Sequence, residues 1–137
     1  MKIKVIKFQN FLKLPDRAHR NDSGADVFAT KHEVIPPHSS VAIPLGFGVE
    51  LPDGYDLIIH SKSSLSKKGI GCFNAPVDSG YKGEIHALVY NVTDKPYEFE
   101  KGDKVGQLVM RPVIYCDYVE DFDEESRGSG AFGSTGK

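Results

Sequence analysis

Apolar residues fall in short runs along the chain, and no long stripe shows the 3.6-residue period of an amphipathic helix. The runs are rich in Val, Ile, Phe and Tyr, and turn sequences such as Pro36-Pro37 and Pro52-Asp53-Gly54 bound several of them. The runs cover Ile3–Phe8, Val41–Leu51, Tyr55–His60, Ile85–Val92, Lys104–Met110 and Val113–Val119. Many short strands at even spacing predict an all-β fold, an antiparallel barrel or sandwich.

Two segments depart from the strand pattern. Ser63–Lys68 is the only helix candidate of note, one or two turns long with hydroxyls at its start. Residues 120–125 are acidic and poor in apolar side chains, so they predict a solvated linker. A glycine-rich end follows this linker. We therefore expect one β domain over residues 1–120, and an acidic linker with a mobile C-terminal arm over residues 121–137.

Length and charge exclude several classes of protein. A chain of 137 residues fits one domain. With 17 basic and 19 acidic residues the net charge is −2, which does not favour binding to a nucleic-acid polymer. The sequence contains neither the apolar run of a signal peptide nor a stretch long enough to span a bilayer. The two cysteines, Cys72 and Cys116, imply no disulfide framework, so we expect a cytoplasmic protein with no membrane partner.

The C-terminal segment from Arg127 to Lys137 has the composition of a polyphosphate clasp. Successive N–H groups of a glycine-rich turn can form an anion-binding concavity. The Arg127 guanidinium suits phosphate oxygens, and the Phe132 ring offers a flat face to a base. The segment is not a Walker A loop, because no glycine precedes Lys-Ser or Lys-Thr. A Gly/Ser tail without function explains the same residues.

Other polar segments each allow a catalytic and an ordinary structural interpretation. Asp26 enters a predicted strand from a turn, and Gln107 is a polar residue in another strand. Lys62 and Ser63 stand at the predicted helix start, where free N–H groups bind anions and where serine is also a common N-cap. Asp78 stands in a turn-rich stretch, where a carboxylate can accept a proton from water or bond to its own backbone.

The order and spacing of these segments resemble the five motifs of the trimeric all-β dUTPases. The family reads roughly AGYDL, PRSGLA, G-x-I-D-x-x-Y-x-G-E, KGDRIAQL and RGxGGFGSTG. This chain has SGADV, SKSSLS, APVDSGYKGE, KGDKVGQL and RGSGAFGSTG in the same order, over residues 22 to 136. The resemblance implies a compact antiparallel barrel or jelly roll of the dUTPase-like β-clip type. It also implies a homotrimer with shared active sites, in which the C-terminal arm crosses to a neighbouring subunit.

The resemblance also implies an activity and the residues that perform it. Family members hydrolyse dUTP to dUMP and pyrophosphate, which limits uracil incorporation into DNA and supplies dUMP for dTTP synthesis. By this resemblance Asp78 is the general base for water, and Tyr81 packs under the deoxyribose. Asp26 and Gln107 orient waters on a Mg²⁺ ion that the triphosphate holds. By the same resemblance, uracil is contacted by the hairpin residues Asn74, Ala75 and Val77 and by the stacking ring of Phe132. The residues that contact the phosphates are Lys62, Ser63, Ser64, Arg127, Gly133, Ser134 and Thr135.

The chain departs from the family pattern in the second and third motifs. Lys62 stands where the family has arginine, which keeps the charge but loses the bidentate fork. Ala75-Pro76 stands where the family has Gly-Thr or Gly-Val, and Pro76 has no N–H to offer a base.

Two alternative functions follow from the same fold. A dCTP deaminase needs a catalytic glutamate where this chain has Leu88, which cannot shuttle a proton. A binding or regulatory protein without catalysis is the other alternative. The presence of Asp26, Asp78 and Gln107 favours a catalytically active dUTPase over such a binding protein. An assay for the release of pyrophosphate from dUTP distinguishes these two possibilities.

Overall fold

The computed structural model describes residues 1–121. Within this part of the chain there are ten short strands and one four-residue helix. In chain order they are β1 (Lys4–Lys7), β2 (Ala25–Phe28), β3 (Glu33–Ile35), β4 (Ser39–Pro44), β5 (Phe47–Glu50), β6 (Tyr55–His60), α1 (Ser63–Ser66), β7 (Ile70–Cys72), β8 (His86–Asn91), β9 (Tyr97–Phe99) and β10 (Lys104–Pro112). No helix among these elements is long and apolar enough to cross a bilayer.

All strand pairs are antiparallel and form four small sheets. Their strand orders are β1-β5, β2-β10-β6, β3-β9 and β4-β8-β7. The predicted all-β antiparallel architecture with one short helix is therefore confirmed. The four sheets remain separate over residues 1–121, so the strands do not close into one continuous barrel.

Alternating side chains place the core between the sheets. In β8, Ala87, Val89 and Asn91 are buried while the intervening residues are partly exposed, as expected for a strand with one face in the core. Phe47 and Phe99 are the largest side chains in this core. Burying an apolar side chain of this kind contributes about 1.5–3 kcal/mol, so the inward faces hold the sheets together.

The run Val41–Leu51, predicted as one strand, is two strands. The break lies between β4 and β5 at Gly46, whose φ is +78°, a conformation that favours glycine. The N–H of Gly46 donates to the Glu84 carboxylate at 2.8 Å. Glu84 thus ties the segment before β8 to the turn that separates the two strands.

The predicted strand over Val113–Val119 is wrong. These residues form no strand, and Ile114 and Tyr118 are 88% and 92% exposed. A strand requires the backbone of a neighbouring strand for its hydrogen bonds. Apart from the N–H of Val113, which donates to the carbonyl of Gly54 at 2.9 Å, the described backbone gives this segment no such partner.

Candidate active site

A cavity of about 460 Å³ lies where three of the predicted motif segments meet. Asp26 on β2, Lys62 and Ser63 at the start of α1, and Gln107 on β10 all line it. The structure therefore brings together four polar residues that were predicted from the first, second and fourth motifs, whereas Ser64 of the second motif does not line the cavity.

Asp26 is the central charged group of this cavity. Its side chain is 8% exposed, and both carboxylate oxygens are paired with ammonium groups. Lys62 Nζ lies 2.5 Å from Oδ1, and Lys104 Nζ lies 3.0 Å from Oδ2. Burial raises the pKa of Asp26, but the hydrogen bonds and charges of the two lysines outweigh burial and hold the pKa below its ordinary value. The Asp22 carboxylate also lines the cavity, so the lining carries no excess of positive charge, but the two ammonium groups beside Asp26 are donors that suit phosphate oxygens.

Lys104 is a site residue that the sequence reasoning missed. Regular alternation along β10 would place Lys104 and Gln107, three residues apart, on opposite faces. A β-bulge between Lys104 and Gly106 shifts the register, so that Lys104 lies opposite Phe28 and Gln107 lies opposite Asp26. Both side chains therefore reach the same cavity. The loop before β2 supplies further lining residues that the motifs did not indicate, namely Ala18, His19 and Asp22.

Gln107 is oriented by the backbone of the second motif. Its Nε2 donates to the carbonyl of Ser61 at 3.0 Å. The side-chain oxygen lies against Gly24, where an added Cβ would stand 2.5 Å from Oε1. Glycine at position 24 is therefore a steric requirement for this orientation of the Gln107 amide.

The helix start is built differently from a serine-capped helix. Lys62 is the N-cap of α1 and makes no side-chain cap bond, because an ammonium group has no acceptor for the free N–H groups of the helix; it pairs with Asp26. The Leu65 side chain packs into the core, while Ser63 and Ser64 are exposed. The serine N-cap interpretation is therefore wrong, and these hydroxyls remain at the surface.

The hairpin that connects β7 to β8 comprises residues 73–85, and hydrogen bonds at Asn74 and Val77 hold its tip in place. The Asn74 amide donates to the carbonyl of His86 at 2.7 Å and accepts from the N–H of Leu88 at 2.9 Å. Val77 exchanges backbone hydrogen bonds with Leu57 in both directions, at 2.6 and 3.2 Å. Because the Asn74 side chain is already engaged with β8, a ligand at this tip would meet chiefly backbone groups of the hairpin.

Asp78 and Tyr81 close the turn that follows this hairpin. The N–H of Tyr81 donates to the carbonyl of Asp78 at 3.1 Å. Asp78 is exposed, and within residues 1–121 its carboxylate has no hydrogen-bond partner. The carboxylate is therefore open to solvent on this surface.

The structure does not bring every predicted residue into one place. Neither Asp78 nor Tyr81 lines the cavity around Asp26. Arg127, Phe132, Gly133, Ser134 and Thr135 lie outside the described residues. Within residues 1–121 the chain thus presents two separate surfaces, the cavity around Asp26 and a hairpin with an exposed carboxylate.

Comparison with known proteins gives matches over most of the chain. A sequence model of the dUTPase family matches residues 11–136. The deoxyuridine 5'-triphosphate nucleotidohydrolase of Clostridium tetani is 39% identical, over 100% of this chain and 97% of that protein. The bacterial relative is therefore similar along its full length.

Solved structures of phage proteins share the fold. The dUTPase from phage phi11 of S. aureus has a TM-score of 0.79 at 24% identity, covering 90% of this chain and 99% of that one. A variant of the Staphylococcus bacteriophage 80alpha dUTPase with dUpNHpp has a TM-score of 0.78 at 26% identity, covering 99% of both chains.

Proposed function

The chain belongs to the dUTPase family, and from this membership we infer that it is an enzyme that hydrolyses dUTP to dUMP and pyrophosphate. The observation that carries the inference in the structure is the ion-paired cluster of Asp26, Lys62 and Lys104 beside Gln107. Hydrolysis of a triphosphate requires charge neutralisation and a positioned water, with little covalent chemistry from the protein. The ammonium groups of Lys62 and Lys104 can contribute to charge neutralisation, and an exposed carboxylate such as Asp78 suits the positioning of water.

We propose Mg²⁺ as the cofactor, held mainly by the triphosphate. The donor set fits this arrangement: Asp26 and Gln107 offer carboxylate and amide oxygens, which are the ligands that Mg²⁺ prefers. Both Asp26 oxygens are engaged by lysines, so the cavity is not an all-protein cage, and Mg²⁺ commonly keeps several of its waters. When bound, the ion neutralises phosphate charge. Asp26 and Gln107 then orient water molecules by hydrogen bonds.

Asp78 is the proposed general base. Its carboxylate is exposed, so it can accept a proton from a water that attacks the α-phosphate. Lys62, with Ser63 and Ser64 beside it, is the proposed phosphate-binding group of the second motif. The ammonium group of Lys62 already points into the cavity and would exchange part of its contact with Asp26 for phosphate oxygens.

The hairpin tip is the proposed uracil site. Asn74, Ala75 and Val77 present backbone groups there, and the bonds from Asn74 to β8 hold the tip in place. The Tyr81 ring is the proposed floor under the deoxyribose. The 80alpha dUTPase with dUpNHpp supports a deoxyuridine nucleotide as the ligand of this family.

We propose that active sites form between subunits of a homotrimer. The cavity with Asp26 and the hairpin with Asp78 are separate surfaces of one chain, so a second copy is needed to place the base beside the phosphates. The exposed apolar residues of 113–119, including Ile114 and Tyr118, are a second argument, since such a segment favours cover by another subunit.

The C-terminal residues complete the proposed site. Residues 1–120 form the β domain, and residues 121–137 serve as a linker and arm that reach a neighbouring subunit. Phe132 stacks on uracil, while Arg127, Gly133, Ser134 and Thr135 contact the outer phosphates. We propose the cytoplasm, which holds the nucleotide pool, as the compartment.

A direct assay tests the proposed activity. The purified protein is incubated with dUTP and Mg²⁺, and released pyrophosphate and dUMP are quantified. We expect equal amounts of both products, with little reaction on dCTP or UTP. Binding of dUTP without product release would favour the alternative of a binding protein that has lost catalysis.

A further inference from the structure

The loop before β2 forms a wall of the cavity around Asp26 that none of the motifs accounts for. His19 and Asp22 from this loop line the cavity together with Lys62 and Lys104. We propose that His19 is a further substrate-contacting residue, which donates a hydrogen bond to the pyrophosphate portion of the triphosphate. This inference rests on the proposed function of the cavity.

The loop is anchored directly to the central carboxylate residue. Asp16 and Asp26 exchange backbone hydrogen bonds in both directions, at 3.1 and 2.6 Å. The loop that carries His19 therefore begins and ends beside the residue that organises the cavity. A displacement of Asp26 would move this loop with it.

Further hydrogen bonds fix the backbone of His19. The N–H of His19 donates to Asp22 Oδ2 at 2.9 Å, and the N–H of Asp22 donates to the carbonyl of His19 at 3.1 Å. The Arg17 guanidinium donates to the carbonyl of Asp22 at 2.9 Å. The first two bonds use the backbone N–H and carbonyl of His19, so its side chain is left available on a preorganised loop.

The imidazole can act as a donor. Among the described residues the ring of His19 has no hydrogen-bond partner, and the two carboxylates that line the cavity with it are already engaged: Asp22 by the His19 N–H and Asp26 by the two lysines. An imidazole carries an N–H donor in its neutral and its protonated form. A phosphate oxygen that enters between Lys62 and Lys104 would therefore find a third donor on the loop side.

His19→Gln and His19→Ala test the assignment, with His38→Gln as the matched control. His38 is another exposed histidine, and it pairs with Asp94 rather than lining the cavity. Steady-state kinetics with dUTP give KM and kcat, and inhibition by inorganic pyrophosphate and by dUMP gives two inhibition constants. A contact made equally in the ground and transition states raises KM and leaves kcat unchanged.

We expect KM for dUTP and the inhibition constant of pyrophosphate to rise about tenfold in His19→Ala, which matches the loss of one hydrogen bond to a charged group. The inhibition constant of dUMP should stay at its wild-type value, and His38→Gln should match the wild type throughout. The assignment would be overturned if KM and the inhibition constant of pyrophosphate were unchanged in both His19 variants. It would also be overturned if inhibition by pyrophosphate and inhibition by dUMP weakened equally.

Calorimetry separates this inference from the proposed function. Pyrophosphate with Mg²⁺ is titrated into the wild type, His19→Ala and His38→Gln, without any turnover. A wild type that does not hydrolyse dUTP refutes the proposed activity, whatever the titration gives. A wild type that hydrolyses dUTP while His19→Ala binds pyrophosphate as tightly as the wild type refutes only the role of His19.

Discussion

The phenol of Tyr81 donates a hydrogen bond to the backbone carbonyl of Glu84 at 2.8 Å. The ring lies over Gly83, where an added Cβ would stand 2.5 Å from the phenol oxygen. Glu84 in turn holds the Gly46 turn through its carboxylate. The aromatic ring is therefore fixed to the scaffold at its polar end, while 48% of the residue's surface faces solvent.

Tyr81→Ala should relax the discrimination between dUTP and UTP. If the Tyr81 ring is the floor under the deoxyribose, as proposed, its removal opens space for a 2′-hydroxyl. The ratio of kcat/KM for the two nucleotides should fall by about 10–100-fold, the range within which a pocket rejects one added hydroxyl. Tyr81→Phe is the control, because it keeps the ring and loses only the bond to Glu84. An unchanged ratio in Tyr81→Ala would place the sugar discrimination elsewhere.

Asp78→Asn should lower kcat by about 10²–10⁴-fold, the usual contribution of a general base. The amide has the shape of the carboxylate but cannot accept the proton of water, so binding of a non-hydrolysable dUTP analogue should be kept. Single-turnover rates and equilibrium binding check the two expectations. Asp53→Asn is a matched control, because Asp53 is an exposed carboxylate of a neighbouring turn that accepts from Ser79 at 3.1 Å. Turnover at the wild-type rate in Asp78→Asn would remove Asp78 from this role.

The sequence predicts strands best where alternation and turn signals agree. β6 is found over Tyr55–His60 as predicted, because the Pro52-Asp53-Gly54 turn precedes a strand with one buried face. β2 shows no alternation, since all four of its residues are buried, and the three-residue strands are too short for a periodic signal. Such strands are defined by their pairing partners rather than by their own residues.

The candidate site was predictable in its residue types but not in its geometry. The resemblance indicated Asp26, Lys62 and Gln107, which share one cavity. The bulge that turns Lys104 toward Asp26 depends on register and has no signature in the pattern of apolar residues. Nor does the sequence show that Asp78 lies apart from the cavity, because that depends on how the sheets pack.

Asp26 should make the protein sensitive to acid. The folded-state pKa of this carboxyl is held below its ordinary value, so its ion pairs add stability above the ordinary aspartate pKa of about 3.9. That stability is lost as the pH falls from there toward the folded-state pKa. Asp26→Asn should lower the free energy of unfolding at pH 7 by about 1–3 kcal/mol, and the difference from the wild type should shrink below about pH 4.

Denaturant unfolding at a single protein concentration, from pH 7 to pH 3, measures this difference. Asp117→Asn is the control, because Asp117 is exposed and belongs to none of the ion pairs of residues 1–121. A difference between Asp26→Asn and the wild type that is the same at every pH would contradict the assigned direction of the shift.

Mixed subunits should recover activity that neither parent has. One parent carries Asp78→Asn, and the other is truncated after Glu125, so each lacks a different part of the proposed site. In a trimer with shared sites, an intact Asp78 from the truncated chain and an intact arm from the Asp78→Asn chain can meet at one site. The two proteins are unfolded and refolded together, and the mixed trimers are isolated by two different affinity tags before dUTP hydrolysis is measured. Each parent refolded alone is the control and should stay inactive. Mixed trimers without activity would mean that each site is built within one chain, and the separation of the Asp26 cavity from the Asp78 hairpin would then require a rearrangement within the subunit.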